Sequence, residues 1–260
     1  KRTFCSTKDN RVKIISTPEK LCKGHYLLHI ECPEDCLPGQ FVSFKLGRFT
    51  DPLIRRPFSI FNKNGNAIEV VFKENGRVTS MLKNMTDFSD VDVSGPYGRG
   101  FTITENENVL LIGGGVGNAP LHYLSKVLKT KNNNISFIYA ARSQEFIYCG
   151  DRFCTESNEI CYVTDDGSFG DKGFAADKLK AVLGKTKFSR AYICGPTVMM
   201  KSCAEILIKE NIPLEVSLEN YFGCGIGICS GCSVDTIDGK KRACVDGPVF
   251  DGSKLLWQYL

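Results

Sequence analysis

Residues 109–120 read VLLIGGGVGNAP, and this stretch decides the fold of the central part of the chain. The apolar run 109–112 suits a buried strand, and it passes through glycines directly into residues that suit a helix. Such a turn leaves free N–H groups and the positive end of the helix dipole facing outward, where a pyrophosphate binds. The glycine spacing differs from the G-x-G-x-x-G motif, so the alternative is that these glycines only allow the strand and the helix to pack closely. The candidate contacts are Gly113, Gly114, Gly115, Gly117 and Asn118.

Strands and helices alternate from this stretch onward to Asn220. Apolar runs such as ISFIYAAR and RAYICGP alternate with helical segments such as APLHYLSKVLKT and VMMKSCAEILIKE. This order predicts a doubly wound parallel sheet, in which ligands bind at the carboxyl ends of the strands. Cys194, Gly195 and Pro196 follow one such strand, and we expect them to border the crevice, although Cys194 also suits a small core position. The turn 164–170, TDDGSFG, borders the same crevice or is a simple turn.

The first hundred residues consist of short β-forming runs separated by turn residues, which predicts an antiparallel barrel or sandwich. Within this block, RRPFS at 55–59 places an Arg and a Ser on either side of an aromatic residue, which suits a phosphate and the edge of a flavin. VFK at 71–73 and GRVTS at 76–80 then end a strand and start a helix, where a phosphate also binds. An ordinary helix cap and a solvated basic surface are the alternatives.

Four cysteines near the C-terminus follow the spacing C-x4-C-x2-C-x11-C: Cys224, Cys229, Cys232 and Cys244. The first three match the run by which plant-type ferredoxins hold a [2Fe-2S] cluster, with the fourth farther along the chain. Glycines surround them, as they do where backbone N–H groups turn inward toward sulfur. A structural zinc site would more typically pair two C-x2-C knuckles. The spacing therefore favours a [2Fe-2S] cluster, with zinc and disulfides as the alternatives.

The order RPFS, GRVTS, GGGVG and CGP resembles that of the ferredoxin-NADP reductase superfamily, in which a barrel binds FAD and the following domain binds NAD(P). With the cysteine loop added, the chain closely resembles the electron-transfer subunits of dihydroorotate dehydrogenase B over essentially its whole length. The motifs that carry this resemblance are RRPFSI, GGGVGNAPL, VTDDGSFGDKG, CGPTVMM, SLENYFGCGIGICSGC and CVDGPVF.

The resemblance implies an antiparallel FAD-binding β-barrel domain (1–102), a doubly wound NAD-binding α/β domain (103–217) and a small [2Fe-2S] domain (218–260). It implies an oxidoreductase of pyrimidine biosynthesis that carries electrons between NAD(H), FAD and the cluster without a catalytic acid, base or nucleophile of its own. The implied partner is an FMN-containing catalytic subunit, in a two-plus-two heterotetramer. The implied FAD contacts are Arg56, Pro57, Phe58, Ser59, Val71, Phe72, Lys73, Gly76, Thr79 and Ser80.

One departure favours a relative within the same superfamily. The residues GNAPL at 117–121 resemble the small subunit of NADH-dependent ferredoxin-NADP transhydrogenase, but its first cluster ligand is typically Asp, whereas this chain has Cys224. A sulfite or polysulfide reductase subunit and a non-enzymatic redox sensor are further alternatives. Arg142 and Ser143 would suit the 2′-phosphate of NADPH, while the resemblance favours NADH.

Composition excludes other classes of protein. The 260 residues are 42% hydrophobic and 24% charged, and a net charge of +4 without a basic run is too mild to indicate a nucleic-acid partner, so we expect none. No stretch reaches the roughly 18 apolar residues of a membrane span. The thirteen cysteines are an odd number without a disulfide framework, which indicates a reducing compartment. We expect a cytoplasmic protein, unless a leader precedes these residues.

Overall fold

The computed structural model describes residues 13–47 and 52–260, so the first twelve residues of the predicted barrel domain lie outside the described residues. The barrel strands are β1 (Lys13–Ile14), β2 (Glu19–Cys22), β3 (His25–Glu31), β4 (Phe41–Leu46), β5 (Arg56–Asn64), β6 (Ala67–Lys73) and β7 (Val91–Tyr97). They form one antiparallel sheet in the order β1-β3-β6-β5-β4-β7, with β2 paired to β3. The prediction of an antiparallel barrel is confirmed.

Side chains that alternate along these strands fill the barrel. Leu28, Ile30 and Val70 have no solvent-exposed surface, since successive residues of a strand point to opposite faces and one face lies inside. Helix α1 (Arg77–Lys83) connects β6 to β7 and buries Val78 and Leu82 in the same core.

The second sheet is the predicted doubly wound layer. Its parallel strands are β8 (Asn108–Gly114), β9 (Asn134–Ala141), β10 (Glu159–Thr164), β11 (Asp171–Lys172), β12 (Arg190–Cys194) and β13 (Leu214–Ser217), in the order β11-β10-β9-β8-β12-β13. The helices are α2 (Asn118–Thr130), α3 (Gly150–Glu156), α4 (Ala175–Leu183) and α5 (Thr197–Lys209). Strands β8 and β9 are buried almost throughout, as expected for a parallel sheet covered on both faces.

The C-terminal segment joins this second sheet. A hairpin of β14 (Ser233–Thr236) and β15 (Gly239–Arg242) follows the cysteine loop, and β16 (Val249–Asp251) then pairs antiparallel with β13. Trp257 is buried, and its Nε1 donates to the Gly252 carbonyl oxygen at 3.0 Å. The aromatic tail therefore closes the core of this chain.

Helix α2 holds the barrel against the parallel sheet. The His122 ring stacks on Phe61 of β5 at 4.2 Å between centroids, and its Nδ1 lies 3.1 Å from the Phe61 carbonyl oxygen. The Tyr123 hydroxyl donates to the Cys36 carbonyl oxygen at 2.9 Å, and Lys126 Nζ donates to Asn62 Oδ1, also at 2.9 Å. Residues 122–126 of α2 thus contact the barrel over little more than one helical turn.

A buried ion pair strengthens the same interface. Glu69 of β6 is only 8% exposed, and it accepts hydrogen bonds from Asn62 Nδ2 and from the Arg152 guanidinium of α3. Burial alone would raise the pKa of Glu69, but these hydrogen bonds outweigh it and the pKa is lowered. The Arg152 guanidinium also lies 4.6 Å from the centre of the Phe61 ring.

His122 makes the stability of this interface pH-dependent. Burial, helped by the nearby Arg152 charge, lowers the pKa of His122 to about 4. In the unfolded chain His122 is protonated below about pH 6.5, whereas in the folded protein it stays neutral down to about pH 4. The free energy of unfolding is therefore highest above pH 6.5 and decreases as the pH falls toward 4.

We predict that His122→Phe removes much of this pH dependence. Between pH 7 and pH 5 the wild type should lose about 2 kcal/mol more unfolding free energy than the variant, measured by urea denaturation. Tyr123→Phe, which removes the hydroxyl bond to the Cys36 carbonyl oxygen from the same helix, is the control and should keep the wild-type dependence. Equal pH dependence of the wild type and His122→Phe would contradict the assignment.

Candidate functional site

A cleft of about 840 Å³ lies where the barrel meets the carboxyl ends of β12 and β13. Its volume is in the range of cofactor sites, and its walls combine aromatic and basic side chains. The sequence-predicted residues that line it are Arg56, Pro57, Phe58, Ser59, Val71, Phe72, Lys73, Gly76, Thr79, Gly117 and Cys194. A second cleft of about 1190 Å³ lies on the barrel around Ile14 and Asp92, away from every predicted site residue.

The barrel wall of the cleft is aromatic. The centre of the Phe58 ring lies 4.8 Å from that of Phe44 and 6.0 Å from that of Phe72, and this packing fixes the orientation of Phe58. Thr79 Oγ1 donates to the Gly76 carbonyl oxygen at 3.0 Å and so fixes the start of α1 beside the cleft. Ser80 points elsewhere, because its Oγ donates to Glu74 Oε1 at 3.0 Å and it does not line the cleft. A cleft lined by aromatic rings and by basic side chains fits a flavin dinucleotide.

The glycine-rich turn requires glycine because other atoms approach it closely. A Cβ on Gly117 would lie 2.6 Å from the Cys194 carbonyl oxygen, and one on Gly114 would lie 2.6 Å from Met199 Sδ. The turn after β8 therefore packs directly against the end of β12. Gly115 has φ +57°, a conformation that glycine adopts without strain.

Not all of the predicted dinucleotide contacts face the cleft. Asn118 is fully buried, and its Nδ2 donates to the Gly115 carbonyl oxygen at 2.9 Å, so it holds the turn in shape. Gly113, Gly114, Gly115, Gly195 and Pro196 form the same turn region but are not among the residues that line the cleft.

Cys194 and Glu219 line the cleft on the side of the parallel sheet. Burial raises the pKa of the Cys194 thiol far above its ordinary value, so the group stays neutral. The sequence analysis missed Glu219, although it lies two residues beyond the carboxyl end of β13, at the same edge of the sheet as Cys194. Burial raises the pKa of Glu219 and the Lys73 charge partly offsets this. The residue is nonetheless exposed to solvent through the open cleft.

Backbone N–H groups of the cysteine loop are directed at its sulfur atoms. The Ile228 N–H donates to Cys224 Sγ at 3.2 Å, the Gly231 N–H to Cys229 Sγ at 3.4 Å, and the Cys244 N–H to Cys232 Sγ at 3.4 Å. Such bonds, led by that from the Cys229 N–H, lower the pKa of Cys224 to about 6. Burial raises the pKa of Cys244 to about 12.

This donor set fits a binuclear iron-sulfur centre. Four thiols with inward N–H donors are what a [2Fe-2S] cluster uses, with two thiolates on each iron. Within residues 13–47 and 52–260, no three His, Cys, Asp or Glu side chains are grouped as a metal site. A binuclear centre does not require three protein ligands at one iron.

Two glycines separate the cysteine loop from the cleft. Gly223 and Gly231 both line the cleft, and a Cβ placed on them would lie 3.0 Å and 3.5 Å from Cys229 Sγ. The sulfur of Cys229 therefore lies directly behind the backbone that faces the cleft. A flavin in the cleft and a cluster in the loop would be separated by little more than this backbone.

Comparisons with known proteins agree with this arrangement. The iron-sulfur cluster binding domain of dihydroorotate dehydrogenase B matches residues 219–256, and an oxidoreductase NAD-binding domain matches residues 111–205. The chain is 34% identical to the dihydroorotate dehydrogenase B (NAD(+)) electron transfer subunit of Desulforamulus reducens, with 90% of this chain and 93% of that protein covered. It is 40% identical to the probable subunit of the same name from Methanocaldococcus jannaschii, over 85% of this chain and 81% of the other.

The chain belongs to the family of dihydroorotate dehydrogenase B electron-transfer subunits. The family that the sequence motifs predicted is therefore confirmed. Among solved structures, that of an NADH-dependent reduced ferredoxin-NADP oxidoreductase superposes with a TM-score of 0.86 at 32% identity, covering 99% of this chain and 93% of that one. A ferredoxin-NADP+ reductase from Plasmodium falciparum shares the fold, with a TM-score of 0.64 at 19% identity over 79% of this chain and 95% of that one.

We predict that replacing a cluster ligand removes the iron. Cys229→Ser should reduce the iron and acid-labile sulfide of anaerobically purified protein to a small fraction of the wild-type content, because a serine oxygen is a poor ligand for this cluster. Cys154→Ser, at an exposed thiol outside the loop, is the control and should retain both. Full iron content in Cys229→Ser would exclude that cysteine as a ligand.

Proposed function

We propose that this protein carries electrons between NAD(H), FAD and a [2Fe-2S] cluster, and between that cluster and an FMN-containing dihydroorotate dehydrogenase subunit of pyrimidine biosynthesis. One observation carries the proposal: residues of the barrel motif, of the glycine-rich turn and of the cysteine loop line a single cleft. A carrier of this kind needs its redox groups close together, because the cofactors supply the chemistry and the protein supplies their orientation.

In this proposal the barrel holds FAD. Arg56 and Lys73 provide positive charge, Phe58 and Phe72 provide an apolar surface, and the hydroxyl groups of Ser59 and Thr79 provide hydrogen bonds. Pro57, Val71 and Gly76 complete the wall. Ser80 is proposed as a supporting residue, since it bonds Glu74 beside the cleft.

The nicotinamide is proposed to lie in the cleft beside Gly117 and Cys194, where the turn after β8 packs against the end of β12. The neutral Cys194 thiol would place no charge beside the nicotinamide, and Glu219 lines the same cleft. We retain Gly113, Gly114, Gly115, Asn118, Gly195 and Pro196 as residues that shape the pyrophosphate turn. No acid, base or nucleophile of the protein is needed.

The cluster is proposed to bind Cys224, Cys229, Cys232 and Cys244 and to face the partner subunit. Ile228 is 78% exposed and Ile226 is 46% exposed on the loop that carries the ligands, and exposed apolar residues of this kind mark binding surfaces. A two-plus-two heterotetramer with the catalytic subunit would cover them.

A second candidate function has specific support. The close superposition on an NADH-dependent ferredoxin-NADP oxidoreductase supports a subunit of such an enzyme. The cysteine at position 224 argues for the dihydroorotate system, and the identity of the partner subunit decides between them.

The domain boundaries and the compartment belong to the same proposal. We divide the chain into 1–102, 103–217 and 218–260, and we place the protein in the cytoplasm. Within the described part of the chain, no helix has both the length and the apolar character needed to cross a bilayer.

The test is an anaerobic spectral titration of the protein purified with its co-expressed FMN subunit. NADH should bleach the flavin bands first and the cluster bands next, and dihydroorotate should reduce the same centres through the partner. Absence of flavin reduction by either nicotinamide nucleotide would exclude the proposal.

We also predict that Gly117→Ala blocks the nicotinamide site selectively. Its Cβ would lie within 2.6 Å of the Cys194–Gly195 backbone, so the turn after β8 must move. The rate of flavin reduction by NADH should fall about tenfold or more, while FAD and iron contents remain unchanged. Gly184→Ala, where a Cβ meets nothing closer than 3.6 Å, is the control. Wild-type reduction rates in Gly117→Ala would contradict this role.

A further inference from the structure

Arg242 joins the C-terminal hairpin to the cysteine loop. It is the last residue of β15, and its Nη1 donates to the Gly227 carbonyl oxygen at 2.8 Å. Gly227 lies between Cys224 and Cys229, on the segment that separates the first two cysteines of the motif. A guanidinium group is therefore bonded directly to the backbone that would surround a cluster.

The same peptide unit bonds a sulfur atom on its other side. The Gly227 carbonyl group and the Ile228 N–H belong to one planar trans unit and point in opposite directions. The oxygen meets Arg242, and the N–H donates to Cys224 Sγ at 3.2 Å. The guanidinium therefore orients this donor. Because hydrogen bonds in a chain polarise one another, it also strengthens the bond to sulfur.

Arg242 is itself held in place. Asp246 Oδ2 accepts the Arg242 N–H at 2.8 Å and lies 3.3 Å from its Nε. The loop packs closely at this point, since Gly227 has φ +84° and a Cβ on it would lie 2.5 Å from Val245 Cγ2. The turn around Cys244 thus fixes the position of the guanidinium relative to the loop.

The guanidinium places positive charge beside thiols that become negative when they bind iron. Four thiolates give a [2Fe-2S] cluster a net negative charge, and each electron that the cluster accepts adds one more. Arginine is always charged in proteins. Its side chain is 42% exposed and that of Asp246 is 34% exposed, so solvent and Asp246 reduce the effect of this charge without removing it.

We propose that Arg242 raises the reduction potential of the cluster, through its charge and through the peptide unit that it orients toward Cys224. This proposal rests on the proposed function, which places a [2Fe-2S] cluster at these thiols. The potential of such a cluster depends on net charge and on hydrogen bonds to sulfur, and Arg242 contributes to both. Electron transfer from a flavin in the cleft to the cluster becomes more favourable by the same amount.

The first test is an anaerobic redox titration of the complex with the co-expressed FMN subunit, followed by the EPR signal of the reduced cluster. Arg242→Gln removes the charge but keeps a polar side chain. At a fixed solution potential, its ratio of reduced to oxidised cluster should be about threefold lower than in the wild type, which equals about 30 mV. The difference should shrink in high salt. Equal ratios would overturn the proposal.

Two variants control this test. Arg242→Lys keeps the charge, so its ratio should lie between those of Arg242→Gln and the wild type, and a ratio as low as that of Arg242→Gln would refute the role of charge. Lys240→Gln loses the same charge on the same hairpin, but Lys240 is 72% exposed and its Nζ lies 3.1 Å from Asp235 Oδ1. This variant should keep the wild-type ratio. A decrease as large as that in Arg242→Gln would show a general effect of net charge and would overturn the proposal.

The second test needs no electron transfer. Amide hydrogen exchange of residues 225–229, followed by mass spectrometry, should be faster in Arg242→Gln than in the wild type and unchanged in Lys240→Gln. Equal exchange in all three proteins would refute the orienting role, and the measurement decides that role even for an Arg242→Gln protein that assembles without its cluster. If the wild type contains no [2Fe-2S] cluster, the proposed function fails and the effect on the potential fails with it. If the cluster is present and the ratios are equal, only the role of Arg242 is refuted.

Discussion

The packing of helix α2 between the two halves of the molecule is the constraint on which the rest depends. Its N-terminus carries the glycine-rich turn, and its side carries the His122 stack on Phe61 and the Lys126 bond to Asn62. Because one rigid helix makes both sets of contacts, the dinucleotide turn and the barrel wall cannot move independently. This packing would therefore set the distance between a flavin held by the barrel and a nicotinamide held at the turn.

Close backbone approach recurs at each junction of the site. The turn after β8 meets the end of β12 at Gly117, and the segment after β13 lines the cleft as it runs to the cysteine loop at Gly223. In both places the residue is glycine, and the absence of a Cβ allows two chain segments to pack directly against each other. Cys194 remains neutral in this setting because burial disfavours its thiolate, whereas Cys224 is favoured as a thiolate by the N–H groups directed at it.

Sequence patterns predicted the strands and helices that form the site better than they predicted which residues face the cleft. Apolar runs and glycine positions predicted β8, α2 and β12, because those elements follow from local periodicity and turn geometry. They did not distinguish Gly117, which lines the cleft, from Asn118, which is buried behind it. They also missed Glu219 and the pair of Glu69 with Arg152, since a carboxylate in a sequence carries no sign of which distant residues surround it.

The sequence by itself determined the order of barrel, parallel sheet and cysteine loop, and it determined the spacing of the four thiols. These properties depend on neighbours within a few residues, where chain geometry leaves little choice. Only the tertiary structure decided that the three parts face one cleft, that Trp257 closes the core of its own chain, and that Arg242 bonds the Gly227 carbonyl group of the cysteine loop. Such contacts join residues far apart in sequence, and they arise from the burial of whole surfaces that no local pattern specifies.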